Sequence, residues 1–218
     1  MSHPIGWRTL PTRARLAAAR RLRGVSIDLD ALAATVASLT PGPRILEIGC
    51  GKGSLALALL RALPPGFEYL GVDPGESPGR RFATARRLGD LPDGAVTFRR
   101  LRSAELLPAE AGRFDLVLLV DVLHHAPDDE RRPVLRDAAR LVAPGGLVVV
   151  VDWARGRSWA DPWCLLTCRW IPRDEHARFL DRAEFDDMLG AELGELKPVI
   201  TTGVPPRRNN VLSVRRRN

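Results

Sequence analysis

Lysine is nearly missing from this chain: of 33 basic residues only Lys52 and Lys197 are lysines, and the rest are arginine. Cysteine is scarce too. Cys50, Cys164 and Cys168 are odd in number and lack the spacing of a disulfide framework, which excludes a disulfide-stapled secreted scaffold and favours a reducing, cytoplasmic setting. No uninterrupted apolar run reaches the roughly 18 residues of a membrane-spanning helix. The arginines near the start are not followed by an apolar segment, so the opening does not read as a secretory signal. A structural zinc site wants four ligands. Cys164 and Cys168 with His176 make an incomplete set, so small buried cysteines are expected and no metal. Internal repeats and long low-complexity segments are also lacking.

What is present is the composition of a soluble globular chain. The 218 residues are 45% hydrophobic and 27% charged, enough to bury a sizeable core in one domain. The net charge is +7, which raises the question of a nucleic-acid partner. The excess sits at the ends, in Arg8, Arg13, Arg15, Arg20, Arg21 and Arg23 and again in Arg215, Arg216 and Arg217. It reads as a solvated helix and a tail, so nucleic acid is not the favoured partner.

From residue 44 onward apolar runs alternate with helical patterns. Strands are expected at Arg44–Ile48, Glu68–Val72, Ala95–Leu101, Phe114–Val120 and Leu147–Val151. Helices are expected at Ser54–Leu63, Pro78–Leu88 and Glu130–Val142, the last closed by Pro144-Gly145-Gly146. This alternation predicts a parallel α/β sheet. Asp181 and Glu184 precede Phe185, Met188 and Leu189 in a helix start of capping-box type. Leu196–Thr201 and Asn210–Val214, separated by Gly203-Val204-Pro205-Pro206, predict a closing antiparallel hairpin. One domain over 1–218 is expected. It comprises an N-terminal helical segment (1–43), a cofactor-binding core (44–152), a cap over the acceptor (153–190) and the hairpin (191–218).

The most informative stretch is Ile45-Leu46-Glu47-Ile48-Gly49-Cys50-Gly51-Lys52-Gly53. It follows a strand and opens a helix. Glycines there permit a tight turn and close approach of a ligand to backbone, and the helix start presents free N–H groups. Dinucleotide loops read G-x-G-x-x-G; this one reads E-x-G-x-G-x-G. Asp73 ends the next strand about twenty residues later, where a carboxylate can accept hydrogen bonds from both ribose hydroxyls. It can equally start the turn at Pro74-Gly75.

These features resemble class I S-adenosylmethionine-dependent methyltransferases, particularly the small-molecule enzymes. Ser103-Ala104-Glu105-Leu106-Leu107-Pro108 is similar to the family's D-A-E-x-L-P segment, with serine where the family often places an adenine-binding acid. Phe114-Asp115-Leu116-Val117, followed by Asp121-Val122-Leu123-His124-His125, resembles its F-D-x-V strand and V-L-H-H turn. Leu141 to Leu147 resembles its L-x-P-G-G turn. The resemblance covers about residues 40–155. It implies a Rossmann-like, mostly parallel seven-stranded sheet with helices on both faces and an antiparallel C-terminal hairpin. It also implies S-adenosyl-L-methionine as cofactor, held by Glu47, Gly49, Cys50, Gly51, Gly53, Asp73, Pro74, Ser103, Ala104, Asp121 and Val122.

Displacement at a sulfonium methyl depends on alignment, and a base is needed only where the acceptor must lose a proton. His124 and His125 are the candidate catalytic residues; the alternative is that they complete the turn by hydrogen bonding. Asp152 ends the fifth strand, where it either meets ligand or orients a loop. Trp153, Trp159, Trp163 and Trp170 suggest an aromatic cap and an apolar or aromatic small-molecule acceptor. The alternatives carried forward are methylation of RNA or protein, motivated by the basic arm, and a catalytically inactive cofactor-binding protein, hinted at by Ser103.

Overall fold

The computed structural model describes residues 27–88, 95–155, 178–204 and 210–218. After helix α1 (Leu29–Leu39), capped by the Asp28 carboxylate, strands and helices alternate: β1 (Arg44–Ile48), α2 (Ser54–Ala62), β2 (Glu68–Val72), α3 (Arg80–Arg87) and β3 (Ala95–Arg99). A 3₁₀ turn (Ser103–Glu105) and α4 (Leu107–Glu110) lead into β4 (Phe114–Val120), α5 (Asp128–Leu141) and β5 (Val142–Arg155). The chain closes with β6 (Leu180–Asp181), α6 (Arg182–Glu192), β7 (Lys197–Val204) and β8 (Asn210–Arg216).

The sheet order is β3-β2-β1-β4-β5-β8-β7, with the short β6 paired beside the end of β5. The first five strands of that order are parallel; β8 runs antiparallel to both β5 and β7. Chain order and space therefore reverse direction at β1/β4, and it is outside the C-terminal ends of such strands that open α/β sheets bind ligands.

Period-two alternation divides the core into two layers. Ile45, Leu116, Leu118 and Val149 pack with α1 and α2 on one face. Leu46, Val117, Leu119 and Val150 pack with α5 and α6 on the other. Central strand β4 is buried on both faces except at Asp115. That residue accepts from the Arg44 backbone N–H at 3.0 Å and from its guanidinium at 2.8 and 3.1 Å, which ties β4 to the start of β1.

The mostly parallel sheet, the helices on both faces and the closing hairpin agree with the sequence reading, but β3 stops at Arg99, α5 spans Asp128–Leu141, β7 runs on through Gly203 and Val204, and further details differ. The sheet has an eighth strand, β6, too short to carry a periodic signal. Helix α3 starts at Arg80, because Gly79 takes a left-handed conformation before it. Pro144-Gly145-Gly146 does not separate helix from strand: β5 begins at Val142, directly after α5, and the segment bulges between the pairs Phe114–Val142 and Leu116–Leu147. The capping box of α6 is half-formed. Asp181 accepts the Glu184 N–H at 2.8 Å, but the Glu184 carboxylate turns to Arg178. Of the expected N-terminal helical segment only α1 falls within the described residues; Cys164, Cys168, His176, Trp159, Trp163 and Trp170 lie outside them. No helix among the described residues is long and apolar enough to cross a membrane.

Candidate active site

The glycine loop joins β1 to α2. Gly49, Gly51 and Gly53 all have positive φ, a region costly for residues with a Cβ. The Gly49 and Cys50 N–H groups both donate to Val72 O, at 2.8 and 3.1 Å, which draws the loop over the end of β2. From the other side, the N-terminus of α3 closes on it: the Gly79 N–H donates to Gly51 O and the Arg81 N–H to Lys52 O, each at 2.9 Å. The two exposed faces of the loop differ in kind. A Cβ on Gly49 would lie 2.5 Å from Val122 Cγ2, so glycine there permits contact with the turn after β4. A Cβ on Gly51 would meet nothing within 4 Å; it would project into the open cradle where a ligand would lie against backbone.

Asp73 faces this cradle with one carboxylate in two uses. Oδ2 accepts the Gly51 N–H and Oδ1 the Gly75 N–H, both at 2.8 Å. The turn-forming role and the loop-anchoring role are thus both present. A carboxylate has about four lone-pair sites, so two remain beyond these bonds. Pro74 is exposed beside it, and its carbonyl accepts from Arg100 Nε at 3.2 Å.

Other residues of the motif lie in the packing around the loop. Glu47 is buried beneath the loop and accepts the Tyr69 phenol hydrogen. Burial, with the Glu47 charge beside it, pushes the Tyr69 hydroxyl well above its ordinary range. The Cys50 thiol is likewise pushed up by burial and by the carboxylates of Glu47 and Asp73; it stays protonated, as suits a small packing residue rather than a nucleophile. Ser103 is buried, and its hydroxyl lies 2.6 Å from Asp137 Oδ2 on α5, to which it donates. The segment keeps its backbone and the exposed Ala104 for other contacts.

At the end of β4 the chain turns sharply. Asp121 is the only non-glycine residue with positive φ, at 57°, among those described; aspartate tolerates this conformation better than most residues. Its N–H donates to Val151 O at 2.9 Å. The turn Val122–Ala126 follows, and Asp152 sits beneath it. Asp152 is 1% exposed, and its carboxylate accepts N–H groups from Val122 (3.1 Å), Leu123 (2.7 Å) and Trp153 (2.8 Å). His124, 4% exposed, places Nδ1 2.6 Å from Asp152 Oδ1. Burial alone would raise the Asp152 pKa, but His124 and the backbone donors outweigh it and hold the carboxyl below its usual range.

Aromatic rings extend from this point. His125 is half-buried with its ring 4.0 Å from that of His124. Phe179 meets His124 edge-on at 5.3 Å and stacks on Trp153 at 5.5 Å. On the far side lies Arg131 of α5, 1% exposed, with Nε donating to Leu123 O (2.7 Å) and Ala126 O (3.1 Å). The Arg178 N–H donates to His124 O at 2.9 Å.

The structure thus brings Gly49, Cys50, Gly51, Gly53, Asp73 and Val122 together where β1, β2 and β4 end, with Asp121, His124 and His125 on the adjoining turn. Glu47 and Ser103 sit in the packing behind it. Sequence reasoning missed Arg131, Tyr69 and Asp137. Arg131 lies in the charged run Asp128-Asp129-Glu130-Arg131-Arg132, which reads as a solvated helix face, and nothing local marks it as buried.

Known proteins share this fold. A family model described as a methyltransferase domain matches residues 14–194. The ubiquinone biosynthesis O-methyltransferase of Azorhizobium caulinodans is 35% identical over 174 residues, covering 75% of this chain and 65% of that protein. Its counterpart from Hahella chejuensis is 38% identical over 106 residues, covering 48% of this chain and 41% of that protein. The chain thus spans less than two thirds of the length of either relative. Among solved structures, 1,6-didemethyltoxoflavin-N1-methyltransferase from Burkholderia thailandensis, with bound S-adenosylhomocysteine, superposes with a TM-score of 0.62 at 18% identity, covering 100% of this chain and 93% of that one. Magnesium protoporphyrin IX methyltransferase from Synechocystis, also with S-adenosylhomocysteine, gives 0.63 at 20% identity, with coverages of 100% and 90%.

Proposed function

The chain belongs to the methyltransferase-domain family, and on that premise we propose that it transfers the methyl group of S-adenosyl-L-methionine to a small-molecule acceptor in a cytoplasmic setting. The observation that carries this reading is the cradle itself. Left-handed glycines at 49, 51 and 53, open space at the Gly51 Cβ position and the Asp73 carboxylate with unused lone pairs lie together at the ends of β1 and β2.

In this reading the Gly49–Gly53 backbone and Asp73 hold the amino-acid tail and ribose of the cofactor. The Ser103–Ala104 backbone lies toward the base, and Asp121 and Val122 form the wall facing the acceptor. Bound there, the cofactor supplies an electrophilic sulfonium methyl. The protein's work is to exclude water and to align acceptor and methyl, which is the larger part of catalysis for a displacement of this kind. His124 and His125 lie on the acceptor side. The rings of Trp153 and Phe179 beside them favour an apolar or aromatic acceptor, in keeping with relatives named for ubiquinone biosynthesis.

Calorimetric titration with S-adenosylmethionine, S-adenosylhomocysteine and NAD, repeated on Asp73→Ala, tests the reading. Both sulfur ligands should bind, NAD should not, and the variant should lose at least about tenfold in affinity, the worth of a charge-assisted hydrogen bond. A folded protein that prefers NAD, or ignores both sulfur ligands, sinks it.

A further inference from the structure

Three glycines from three different elements make room for a single ring. Phe98 is half-buried on β3, the edge strand, and its register partner on β2 is Gly71. A Cβ on Gly71 would lie 2.7 Å from Phe98 Cδ1, one on Gly53 would lie 2.9 Å from Cζ, and one on Gly79 would overlap Cγ and Cδ2. Gly53 and Gly79 also need glycine for their left-handed φ, of 76° and 69°. Gly71 has no positive φ, so its missing side chain is explained by the ring and by Cys50 Cβ, 3.0 Å from the same point.

The ring sits where the two segments of the cradle join. Gly53 and Gly79 are the N-caps of α2 and α3, and neither helix start has a side-chain cap. A Cβ on Gly53 would be 3.1 Å from Gly79 Cα, so the two starts meet backbone to backbone beside the ring. Hydrogen bonds cross at the same place: Gly79 N–H to Gly51 O, Arg81 N–H to Lys52 O, and Gly51 N–H to the Asp73 carboxylate. We propose that Phe98 is a positioning residue for the cofactor: its ring sets the separation between the glycine loop and segment 73–79, and so the place of the Asp73 carboxylate against the loop backbone. The inference rests on S-adenosyl-L-methionine binding as read above and adds the residue that fixes the shape of that grip.

The physical reason lies in glycine itself. A loop of alternating glycines has more backbone conformations to lose on ordering than any other sequence. Hydrogen bonds between its main-chain groups leave several of those conformations open unless packing removes them. A planar ring with two side-chain torsions does so at little entropic cost of its own. Phe98 is itself braced, by Tyr69 edge-on at 5.8 Å and by Phe82 at 5.4 Å. The Tyr69 hydroxyl in turn donates to Glu47, buried beneath the loop. A shorter side chain at 98 would leave a gap into which the glycine backbone can relax. A methyl at 71 would push the ring against the loop from the other side.

Two measurements test this, and neither needs the acceptor. In amide hydrogen exchange of the ligand-free protein, Phe98→Leu should speed the Gly51, Gly79 and Arg81 amides by about tenfold or more, while residues 116–119 of β4 change no more than the loss of global stability requires. Acceleration confined to β4, or none, would mark a packing residue only and overturn the proposal. In calorimetry with S-adenosylhomocysteine, Phe98→Leu should weaken binding by about tenfold or more, the scale on which groups behind a binding site act. Gly71→Ala should weaken it too. The double variant Gly71→Ala/Phe98→Leu should bind more tightly than Gly71→Ala alone, because leucine vacates the space that the new methyl needs. Losses that simply add overturn the proposal, as does a folded Phe98→Leu protein with wild-type affinity. Failure of the wild-type protein to bind S-adenosylhomocysteine would instead refute the function proposed above.

Discussion

The glycine loop and the histidine turn adjoin at the C-terminal edge of one sheet and touch where Gly49 meets Val122, yet they are built by different means. The loop is nearly all backbone: positive φ at alternate glycines, and hydrogen bonds from main-chain groups to the ends of β2 and α3. The turn is held by side chains. Asp152 arrives from the next strand and Arg131 from within a helix, each replacing a contact that local backbone does not supply. A cradle made of backbone can be written in a few consecutive residues. A lock made of side chains needs partners that become neighbours only after the sheet forms.

That contrast can be sharpened by experiment, and the largest effect is expected at the lock. Asp152→Asn should destabilise the protein by about 3 kcal/mol, the usual cost of breaking a buried, hydrogen-bonded charge pair. Its folded carboxyl pKa is depressed, so the charge contributes fully above the unfolded carboxylate value of about 3.9 and is lost as pH falls through the lower folded value. In urea unfolding below the histidine range, the gap between wild type and variant should therefore close as pH falls below about 4. A gap that widens over that acid range would mean that the carboxyl is protonated in the folded state.

The loop should respond next. Gly49→Ala puts a Cβ into a left-handed conformation and against Val122. A loss of about 2 kcal/mol is expected from backbone strain and overpacking together, with a fall in cofactor affinity larger than that of Asp152→Asn. If the two variants lost affinity equally, loop and turn would form one unit and the comparison would fail.

The smallest effect should come from Ser103→Ala. Asp137 would lose one donor, at a cost of about 1 kcal/mol in stability, while calorimetric affinity for S-adenosylmethionine stays within about twofold of wild type. A clear loss of affinity would return the serine hydroxyl to the adenine contact that the sequence suggested.

Legibility followed the same division. β1, β2 and β4 fall on the expected residues because each is a short apolar run bounded by breakers. The hairpin and the two-faced packing followed from alternation and order. The loop glycines and Asp73 were visible because a ligand-binding backbone demands residue types at short fixed spacing. His124 and His125 were visible as residue types, whereas the partner of the His124 ring was not: Asp152 lies 28 residues away. Ser103 and Glu184 show the same limit: a short motif names a residue but not the side chain it meets, here Asp137 for the serine and Arg178 for the glutamate.

Residue pattern by itself determined the parallel sheet, the place of the glycine cradle and the carboxylate beside it, because hydrophobic period, glycine φ and turn chemistry act within a few residues. Only the tertiary structure decided that Arg131 is buried, that Asp152 holds the His124 ring, and that Ser103 points to α5. Each of those is a pairing across strands or layers, and its energy exists only once packing has removed water from both partners.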